Sequence, residues 1–141
     1  ENAVFGGERS GHFYFSEIYG IDDGTYASLK MAEIISKSGE TLSRMVDAVP
    51  KYYSSTVNMA CPDEYKFKVT ERTKEFFEKM GYKILQIDGV KAEDDEGWVL
   101  IIPSNTEPLI RIFVEGKTKS KHRQLLSLAR KVLKEEIERA A

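Results

Sequence analysis

The sequence contains little cysteine or proline, no long hydrophobic run and no excess of positive charge. Its one cysteine, Cys61, excludes an internal disulfide and indicates a reducing compartment, which we take to be cytoplasmic. No apolar stretch is long enough to span a membrane, and no signal-peptide pattern opens the chain. With a formal net charge of −2, the chain lacks the basic surface that nucleic-acid binding requires. These absences argue against membranes and nucleic acids as partners.

The composition that is present is typical of a globular protein, with 41% hydrophobic and 31% charged residues. A length of 141 residues permits one ordinary domain, or a small domain together with a piece of another. The chain begins at Glu1 and enters a strand-like segment, residues 3–5, almost at once and without an initiator methionine. We therefore expect a portion of a longer protein, whose oligomeric state the composition leaves open.

Two apolar runs of strand length, joined by a polar loop, form the most informative pattern in the sequence. Residues 98–102 and 109–114 are rich in aliphatic and aromatic side chains, and each run predicts a well-covered strand. The loop between them, residues 103–108, reads Pro-Ser-Asn-Thr-Glu-Pro, and its two prolines remove two backbone donors. Short donor side chains stand beside the remaining backbone N–H groups, on Ser104, Asn105 and Thr106.

This loop can cradle an oxyanion, because turn amides form a concave nest that side-chain donors extend. Arg111 follows on the second strand, where period-two alternation puts it on one face with Leu109 and Phe113, close enough to reach the loop. A guanidinium there can make forked hydrogen bonds to a phosphate. The same residue types are ordinary turn formers, so a loop that only turns a corner is the alternative.

A second polar loop lies near the start of the chain, before the aromatic run at residues 13–15. Glycines flank its polar residues and let the backbone adopt positive φ, so that the side chains point outward. A carboxylate, a hydroxyl and an imidazole together suit a ligand rich in hydroxyl groups, such as a sugar; they belong to Glu8, Ser10 and His12. The alternatives are a hairpin loop that faces water and, for His12, a packed, hydrogen-bonded histidine.

Helix and turn signals organise the first part of the chain. Asp22 and Asp23 predict a helix start and Gly39 its end, and a shorter apolar stripe stops at Pro50. The polar segment that follows is typical of a linker. This pattern predicts a division into residues 1–50, a linker at 51–55, and residues 56–141.

The second part of the chain predicts an alternation of strands and helices. We expect a strand at residues 56–61, a helix capped by Thr70 and ended by Gly81, an Asp88-Gly89 hairpin, and a long amphipathic helix from Thr118. The order β-α-β-β-β-β-α predicts a two-layer α+β domain. Its sheet should be mostly antiparallel, with both helices on one face.

Charged clusters elsewhere have structural interpretations. The acidic pairs Asp22-Asp23 and Asp94-Asp95 are interpreted as a helix cap and a turn rather than as metal ligands. A basic cluster near the start of the last helix either attracts an anionic substrate or is a solvated run. It comprises Lys117, Lys119, Lys121, His122 and Arg123.

The two polar loops together resemble those of a known family, the α-D-phosphohexomutases. Residues 7–12, Gly-Glu-Arg-Ser-Gly-His, look like its sugar-binding loop, and residues 103–108 followed by Arg111 look like its phosphate-binding loop. An Asp-Gly-Thr-Tyr segment that opens a helix between them strengthens the resemblance. This resemblance covers essentially the whole chain. The resemblance implies the tail of the family's third domain, an α/β domain, up to about Pro50, then a fourth domain similar to the TATA-box-binding-protein fold.

The resemblance also implies an activity, in which four-domain members interconvert 1-phospho and 6-phospho sugars through a bisphosphorylated intermediate. In the family, a phosphoserine donates the phosphoryl group and aspartates hold a Mg²⁺, and both belong to the first two domains. Neither the phosphoserine loop nor the aspartate-rich metal loop occurs in this sequence. The resemblance thus implies no catalytic or metal-binding residue in this chain, which alone should be inactive. It implies a phosphorylated hexose and the N-terminal domains of the same protein as partners. By resemblance, Glu8 and Ser10 contact sugar hydroxyls, and His12 is a further contact or a proton relay. The phosphate that is not being transferred contacts four residues of the other loop and strand: Ser104, Asn105, Thr106 and Arg111.

Two positions depart from the family's pattern. Members commonly carry an arginine two residues before the phosphate-loop serine, where this sequence has Ile102; the missing contact is worth about 1.5–3 kcal/mol unless Arg111 and a lysine compensate. Arg9 is not the usual residue of the sugar loop, so sugar preference stays open. The resemblance fits phosphomannomutase, phosphoglucomutase or phosphoglucosamine mutase. A non-catalytic α+β binding module is the alternative of another class, disfavoured by the acidic net charge.

Overall fold

The chain separates into two compact units, Glu1–Pro50 and Lys51–Ala141, called unit 1 and unit 2 below. The computed structural model describes residues 3–8, 10–86 and 88–140, so Arg9 and Ile87 lie outside the described residues. Unit 1 contains β1 (Phe5–Gly7), β2 (Phe13–Phe15), a 3-10 turn (Ser16–Ile18), α1 (Gly24–Ser38) and α2 (Leu42–Asp47). Unit 2 contains β3 (Tyr53–Ala60), α3 (Asp63–Lys79), β4 (Lys83–Gln86), β5 (Val90–Asp94), β6 (Gly97–Pro103), β7 (Leu109–Gly116) and α4 (Lys119–Ala140).

Local signals account for the elements of unit 1. β1 and β2 form an antiparallel hairpin. The Asp23 carboxylate accepts a hydrogen bond from the Tyr26 N–H at 2.9 Å and caps α1, and Gly39, at a φ of 67°, ends the helix in the left-handed conformation. The helix predicted to start at Asp22-Asp23 and stop at Gly39 is confirmed.

Unit 2 is a two-layer α+β domain. Its strands form one sheet in the order β3-β7-β6-β5-β4, and every neighbouring pair is antiparallel. Helices α3 and α4 pack together against the same face of this sheet. The predicted α+β class, the antiparallel sheet and the element order are all confirmed.

Side-chain alternation along the strands builds the core of unit 2. On β7, every second residue from 110 to 114 is buried, whereas Arg111 and its alternate neighbours lie on the open face of the sheet. The buried face of the sheet packs against apolar side chains of α3 and α4, namely Val69, Phe77, Leu125, Ala129 and Leu133. Each such side chain contributes about 1.5–3 kcal/mol by leaving water. The helices therefore fix the sheet, and the sheet in turn fixes the loop between β6 and β7.

Strand pairing changes two of the predicted boundaries. β3 begins at Tyr53 rather than at residue 56, because Tyr53 pairs with Gly116 at the end of β7. The linker predicted at residues 51–55 therefore overlaps this strand. β1 likewise runs over Phe5–Gly7 rather than residues 3–5, since its register is set by β2. The interpretation of the two units as two domains of a longer enzyme stays a prediction.

The start of α3 also differs from the prediction. The helix begins at Asp63, with Pro62 at its N-cap position, so Thr70 lies inside it. There the Thr70 hydroxyl donates a hydrogen bond to the Lys66 carbonyl at 2.8 Å, one turn back along the helix. A threonine in the helix interior satisfies its hydroxyl in this way, and sequence alone does not distinguish it from a cap.

Candidate functional site

The loop between β6 and β7 is organised by Ser104. Its N–H donates to the Leu109 carbonyl at 3.0 Å, and its hydroxyl oxygen accepts the N–H groups of Thr106 at 3.4 Å and Glu107 at 3.2 Å. Ser104 is only 6% exposed. The Ser104 hydroxyl oxygen therefore holds the turn from within the loop. The hydroxyl proton is still available for donation.

Helix α3 binds the same loop through the buried side chain of Lys66. Lys66 is 5% exposed, and its ammonium donates to the Ser104 carbonyl, to the Glu107 carbonyl at 3.5 Å and to the Asp63 carboxylate at 2.6 Å. The Cys61 N–H donates to the Pro108 carbonyl at 3.0 Å, just before the helix begins. The loop is thus fixed at both ends of its turn by contacts far away in sequence.

The exposed side of this loop carries donors. Asn105 and Thr106 are exposed, and the Arg111 side chain, 44% exposed, lies at the start of β7. One Arg111 guanidinium nitrogen donates to the Glu107 carboxylate at 2.7 Å. Because a guanidinium has five donors, this bond orients Arg111 without exhausting it. The loop can therefore present amide, hydroxyl and guanidinium donors to an anion, with the Glu107 carboxylate as its competitor.

Ile102 stands directly opposite Arg111 in the β6–β7 register, on the same open face of the sheet. An arginine at this position would lie beside Arg111 and face the same loop. Asn58 of β3 is the neighbour of Arg111 on its other side. Cross-strand neighbours lie about 5 Å apart, so the side chain at position 102 directly affects the charge beside the loop between β6 and β7.

The basic cluster predicted near the last helix lies at the opposite end of the sheet. The polar loop precedes β7, whereas the cluster follows it, and eight residues of extended chain separate the two by roughly 25 Å. Lys121 pairs with Asp94, and His122 Nε2 hydrogen-bonds the Ser55 hydroxyl at 2.8 Å. The cluster therefore does not add to the charge at the loop, since screening acts over about 8–10 Å.

The polar loop of unit 1 closes the β1–β2 hairpin. The Glu8 N–H donates to the His12 carbonyl at 2.9 Å, and the Gly11 N–H donates to the Glu8 carbonyl at 3.0 Å. Gly11 has a φ of 92°, which disfavours any residue with a Cβ. The Glu8 carboxylate accepts from Ser10 Oγ at 3.1 Å and from the Tyr14 hydroxyl at 3.0 Å. Glu8 and Ser10 are thus presented together on an exposed turn.

His12 is oriented by a carboxylate from the start of α1. Its Nδ1 lies 2.5 Å from Asp22 Oδ2, and Asp22 Oδ1 accepts the Phe13 N–H at 2.9 Å. This contact with Asp22 raises the pKa of His12 above its ordinary value of 6.5, and the His12 contact, followed by the Phe13 N–H, lowers the pKa of Asp22. Because Asp22 engages Nδ1, Nε2 is the ring nitrogen that can face a ligand.

Several residues that shape the two loops were not singled out from the sequence. Asp22 was interpreted with Asp23 as a helix start, although one N-cap residue suffices, and Tyr14 was counted only within an aromatic run. Lys66 carried a signal, because it falls on the apolar stripe of α3 at helical spacing from Val69 and Thr73. A lysine on a buried stripe indicates a site where several oxygens converge.

The described carboxylates do not suit a magnesium site. Within residues 3–8, 10–86 and 88–140, no three His, Cys, Asp or Glu side chains gather closely enough to hold a metal ion. Asp22 is engaged by His12, and Asp94 accepts two turn N–H groups at 2.9 and 3.0 Å and pairs with Lys121. Among the described helices, none is both long and apolar enough to cross a membrane.

Comparison with known families assigns both units. Residues 1–53 match the model of phosphoglucomutase/phosphomannomutase alpha/beta/alpha domain III, and residues 57–132 match that of the phosphoglucomutase/phosphomannomutase C-terminal domain. The chain belongs to the α-D-phosphohexomutase family. The resemblance drawn from the two loops is therefore confirmed, and each loop of this phosphohexomutase chain falls within one matched domain.

Relatives and a solved structure agree with this membership in the phosphohexomutases. A phosphoglucomutase/phosphomannomutase of Thermococcus kodakarensis is 40% identical over 134 residues, which are 95% of this chain and 29% of the relative. A phosphoglucosamine mutase of Methanococcus maripaludis is 38% identical over 120 residues, 82% of this chain and 26% of the relative. The crystal structure of a phosphoglucomutase/phosphomannomutase family protein from Burkholderia thailandensis matches with a TM-score of 0.76 and 25% identity, over 95% of this chain and 28% of that one.

The phosphohexomutase chain spans less than a third of the length of the relatives that it matches. Within this span, the structure places the three predicted sugar-loop residues on one turn of unit 1. It places the four predicted phosphate-loop residues on one hairpin of unit 2. Their roles in binding stay predictions.

Proposed function

We propose that this chain is the substrate-binding C-terminal portion of a phosphohexomutase that interconverts 1-phospho and 6-phospho sugars through a bisphosphorylated intermediate. The observation that carries the proposal is the hairpin loop around the buried Ser104. It is rigidly held from inside and exposes Asn105, Thr106 and Arg111 on its outer side. These donors match the oxygens of a phosphate that is held while the other one is transferred.

The sugar-loop residues complement this role. The Glu8 carboxylate accepts hydrogen bonds, as its contacts with Ser10 and Tyr14 illustrate, and it can accept them equally from sugar hydroxyls. His12, turned by Asp22 so that Nε2 is free to point outward, is a contact or a proton relay for the same hydroxyls. We therefore assign the binding of sugar hydroxyls to the loop of unit 1, and the binding of phosphate to the loop of unit 2.

This division of labour suits phosphoryl transfer, which depends mainly on placement and charge stabilisation. Gripping the remote phosphate decides which end of the sugar faces the donor. Since this chain spans less than a third of the relatives that it matches, we assign that ion and the phosphoserine to other domains of the same protein. There the ion would stabilise charge on the transferred group. We expect the isolated chain to have no mutase activity.

A second candidate within the same chemistry is a phosphoglucosamine mutase. The name of the Methanococcus maripaludis relative favours it, and the loop sequences fit both assignments. The two candidates differ in the sugar, so the ratio of kcat/KM for glucosamine phosphate and for glucose or mannose phosphate decides between them.

The proposal is tested with Arg111→Ala in a mutase that carries this chain. Losing a charge-assisted contact should raise KM for the phosphosugar by roughly tenfold to a hundredfold. The matched control is Arg44→Ala, which also removes an exposed arginine from an ion pair with a glutamate four residues away. The control should leave KM unchanged.

A binding experiment on the 141-residue chain gives an independent answer. Amide resonances of Asn105 and Thr106 should shift when glucose 1-phosphate is added and should remain in place with glucose alone. An unchanged KM in Arg111→Ala, together with no shift of these amides, would overturn the assignment.

A further inference from the structure

Lys66 is a buried charge with an unusual set of partners. It lies in the first turn of α3, 38 residues before Ser104, and is 5% exposed. Its three ammonium protons face three oxygens: two carbonyls of the polar loop, from Ser104 and Glu107, and the Asp63 carboxylate. A lysine is rarely buried unless such partners compensate the loss of water.

We propose that Lys66 is a positioning residue of the phosphate loop, which sets the peptide between Ser104 and Asn105 so that the Asn105 N–H faces the bound phosphate. The proposal rests on the proposed function for the ligand, but its structural part does not need one. A trans peptide is planar, and its C=O and N–H point in opposite directions. Since the Ser104 carbonyl is drawn towards the Lys66 ammonium, the Asn105 N–H points to the opposite side of the loop.

The second carbonyl bonded by Lys66 serves a different purpose. Glu107 is followed by Pro108, which has no N–H, so no donor is turned outward there. The Glu107 carbonyl also accepts the Leu109 N–H at 2.8 Å, where the loop joins β7. The bond from Lys66 to the Glu107 carbonyl thus fixes the end of the turn to α3, whereas the bond to the Ser104 carbonyl orients the Asn105 N–H.

Orientation, rather than charge, is the effect that the geometry supports. The Asp63 carboxylate lies 2.6 Å from the Lys66 ammonium and offsets its charge. A loop whose donors are already aimed loses less entropy on binding than one that must order itself around the ligand. Lys66 would thereby partly compensate for the donor that is missing at Ile102, opposite Arg111.

The test compares Lys66→Met with Lys68→Met in the 141-residue chain. Both variants remove one positive charge from α3 and keep a straight side chain, but Lys68 is exposed. In Lys66→Met, amide exchange of Glu107 and Leu109 should accelerate about tenfold, while that of Ile112 in the core stays unchanged. The Kd for glucose 1-phosphate should rise about tenfold, and the shift of the Asn105 amide on binding should shrink. Lys68→Met should behave as the parent chain.

Two further variants keep the result decisive. Lys66→Arg retains donors at the same depth, so it should restore part of the protection and of the affinity. Should Lys66→Met fail to fold, Lys66→Gln, which keeps one donor group, is measured in the same way, again with faster exchange at Glu107 and Leu109 expected.

The positioning role would be overturned if amide exchange of Glu107 and Leu109 were unchanged in folded Lys66→Met or Lys66→Gln. It would also be overturned if these amides accelerated no more than that of Ile112. The two proposals fail separately. An unchanged KM in Arg111→Ala, together with no shift of the Asn105 amide, overturns the proposed function, whereas the exchange measurement, made without any sugar, still decides whether Lys66 positions the loop.

Discussion

Unit 1 and unit 2 are built by different means. Among the described residues of unit 1, none is buried, and its elements are fixed by a hairpin, an Asp23 cap and a glycine stop. Unit 2 has a continuous core of fully buried aliphatic and aromatic side chains between its sheet and two helices. Local capping and turn signals fix where elements start and stop, but burial of apolar surface supplies most of the stability of a folded domain.

The two polar loops repeat this difference. In unit 1, Glu8 is held by Ser10 and Tyr14, all close in sequence and exposed to water. In unit 2, the loop around Ser104 is held by the buried Lys66 from a distant helix. A hydrogen bond exposed to water contributes less to stability than one that also satisfies a buried polar group. We therefore expect the loop around Ser104 in unit 2 to be the more rigid of the two.

The largest effect should come from the core that only unit 2 possesses. Ile112 is fully buried, so Ile112→Ala should lower the free energy of unfolding by about 2–5 kcal/mol through lost burial and the cavity left behind. Trp98, the one tryptophan of the chain, lies in unit 2 and reports its unfolding by fluorescence in urea.

The matched substitution in unit 1 is Ile34→Ala. Ile34 is 49% exposed, so this change should cost less than about 1 kcal/mol, measured by amide exchange in α1. Equal losses at the two positions would contradict the difference between the units.

A smaller effect should follow when the missing arginine is restored in unit 2. Ile102→Arg places a second guanidinium opposite Arg111 beside the loop, and we expect the Kd for glucose 1-phosphate to fall by about tenfold through a charge-assisted contact. Calorimetric titration of the chain measures it. Leu100→Arg adds the same charge to the same strand and face, one strand repeat further from the loop, and should change Kd less. A similar gain from both variants would indicate general electrostatic attraction instead of a specific contact.

The smallest effect concerns the titration of His12 in the polar loop of unit 1. Asp22→Asn removes the carboxylate that raises the pKa of His12, so this pKa should fall towards 6.5. Imidazole resonances followed by NMR through a pH series measure it, with the other histidine, His122, observed in the same spectra. Asp23→Asn is the control, since asparagine caps a helix about as well as aspartate, and the Asp23 side chain accepts the Tyr26 N–H while Asp22 and Glu8 raise the pKa of His12. A His12 pKa that stays raised in Asp22→Asn would contradict the assigned pair.

The pair of His12 and Asp22 makes the stability of the polar loop in unit 1 depend on pH in both directions. The pKa of His12 is raised in the folded chain, so its contribution is complete below pH 6.5 and is lost as the pH rises through the folded value. The pKa of Asp22 is lowered, so its contribution is present above pH 3.8 and is lost as the pH falls through the folded value. The pair should therefore stabilise the loop most between about pH 3.8 and 6.5.

Much of the fold follows from patterns in the sequence. Apolar runs of strand length identified the strands around the polar loop of unit 2, and aspartate and glycine signals marked the ends of α1 in unit 1, at Asp23 and Gly39. Two predicted boundaries were wrong for different reasons. Tyr53 belongs to β3 because the distant strand β7 extends far enough to pair with it. Thr70 lies inside α3, which starts seven residues earlier, because sequence alone does not distinguish a threonine inside a helix from one at its cap.

The sequence by itself determined the family and the two loops, because short motifs and side-chain periodicity are local properties of the chain. Only the tertiary structure decided how each loop is held. Lys66 and Ser104 meet across 38 residues, and His12 and Asp22 across ten, and nothing in either segment alone specifies its partner. A buried lysine is stable only when folding brings several oxygens to it at once, so its role emerges from packing rather than from any local pattern.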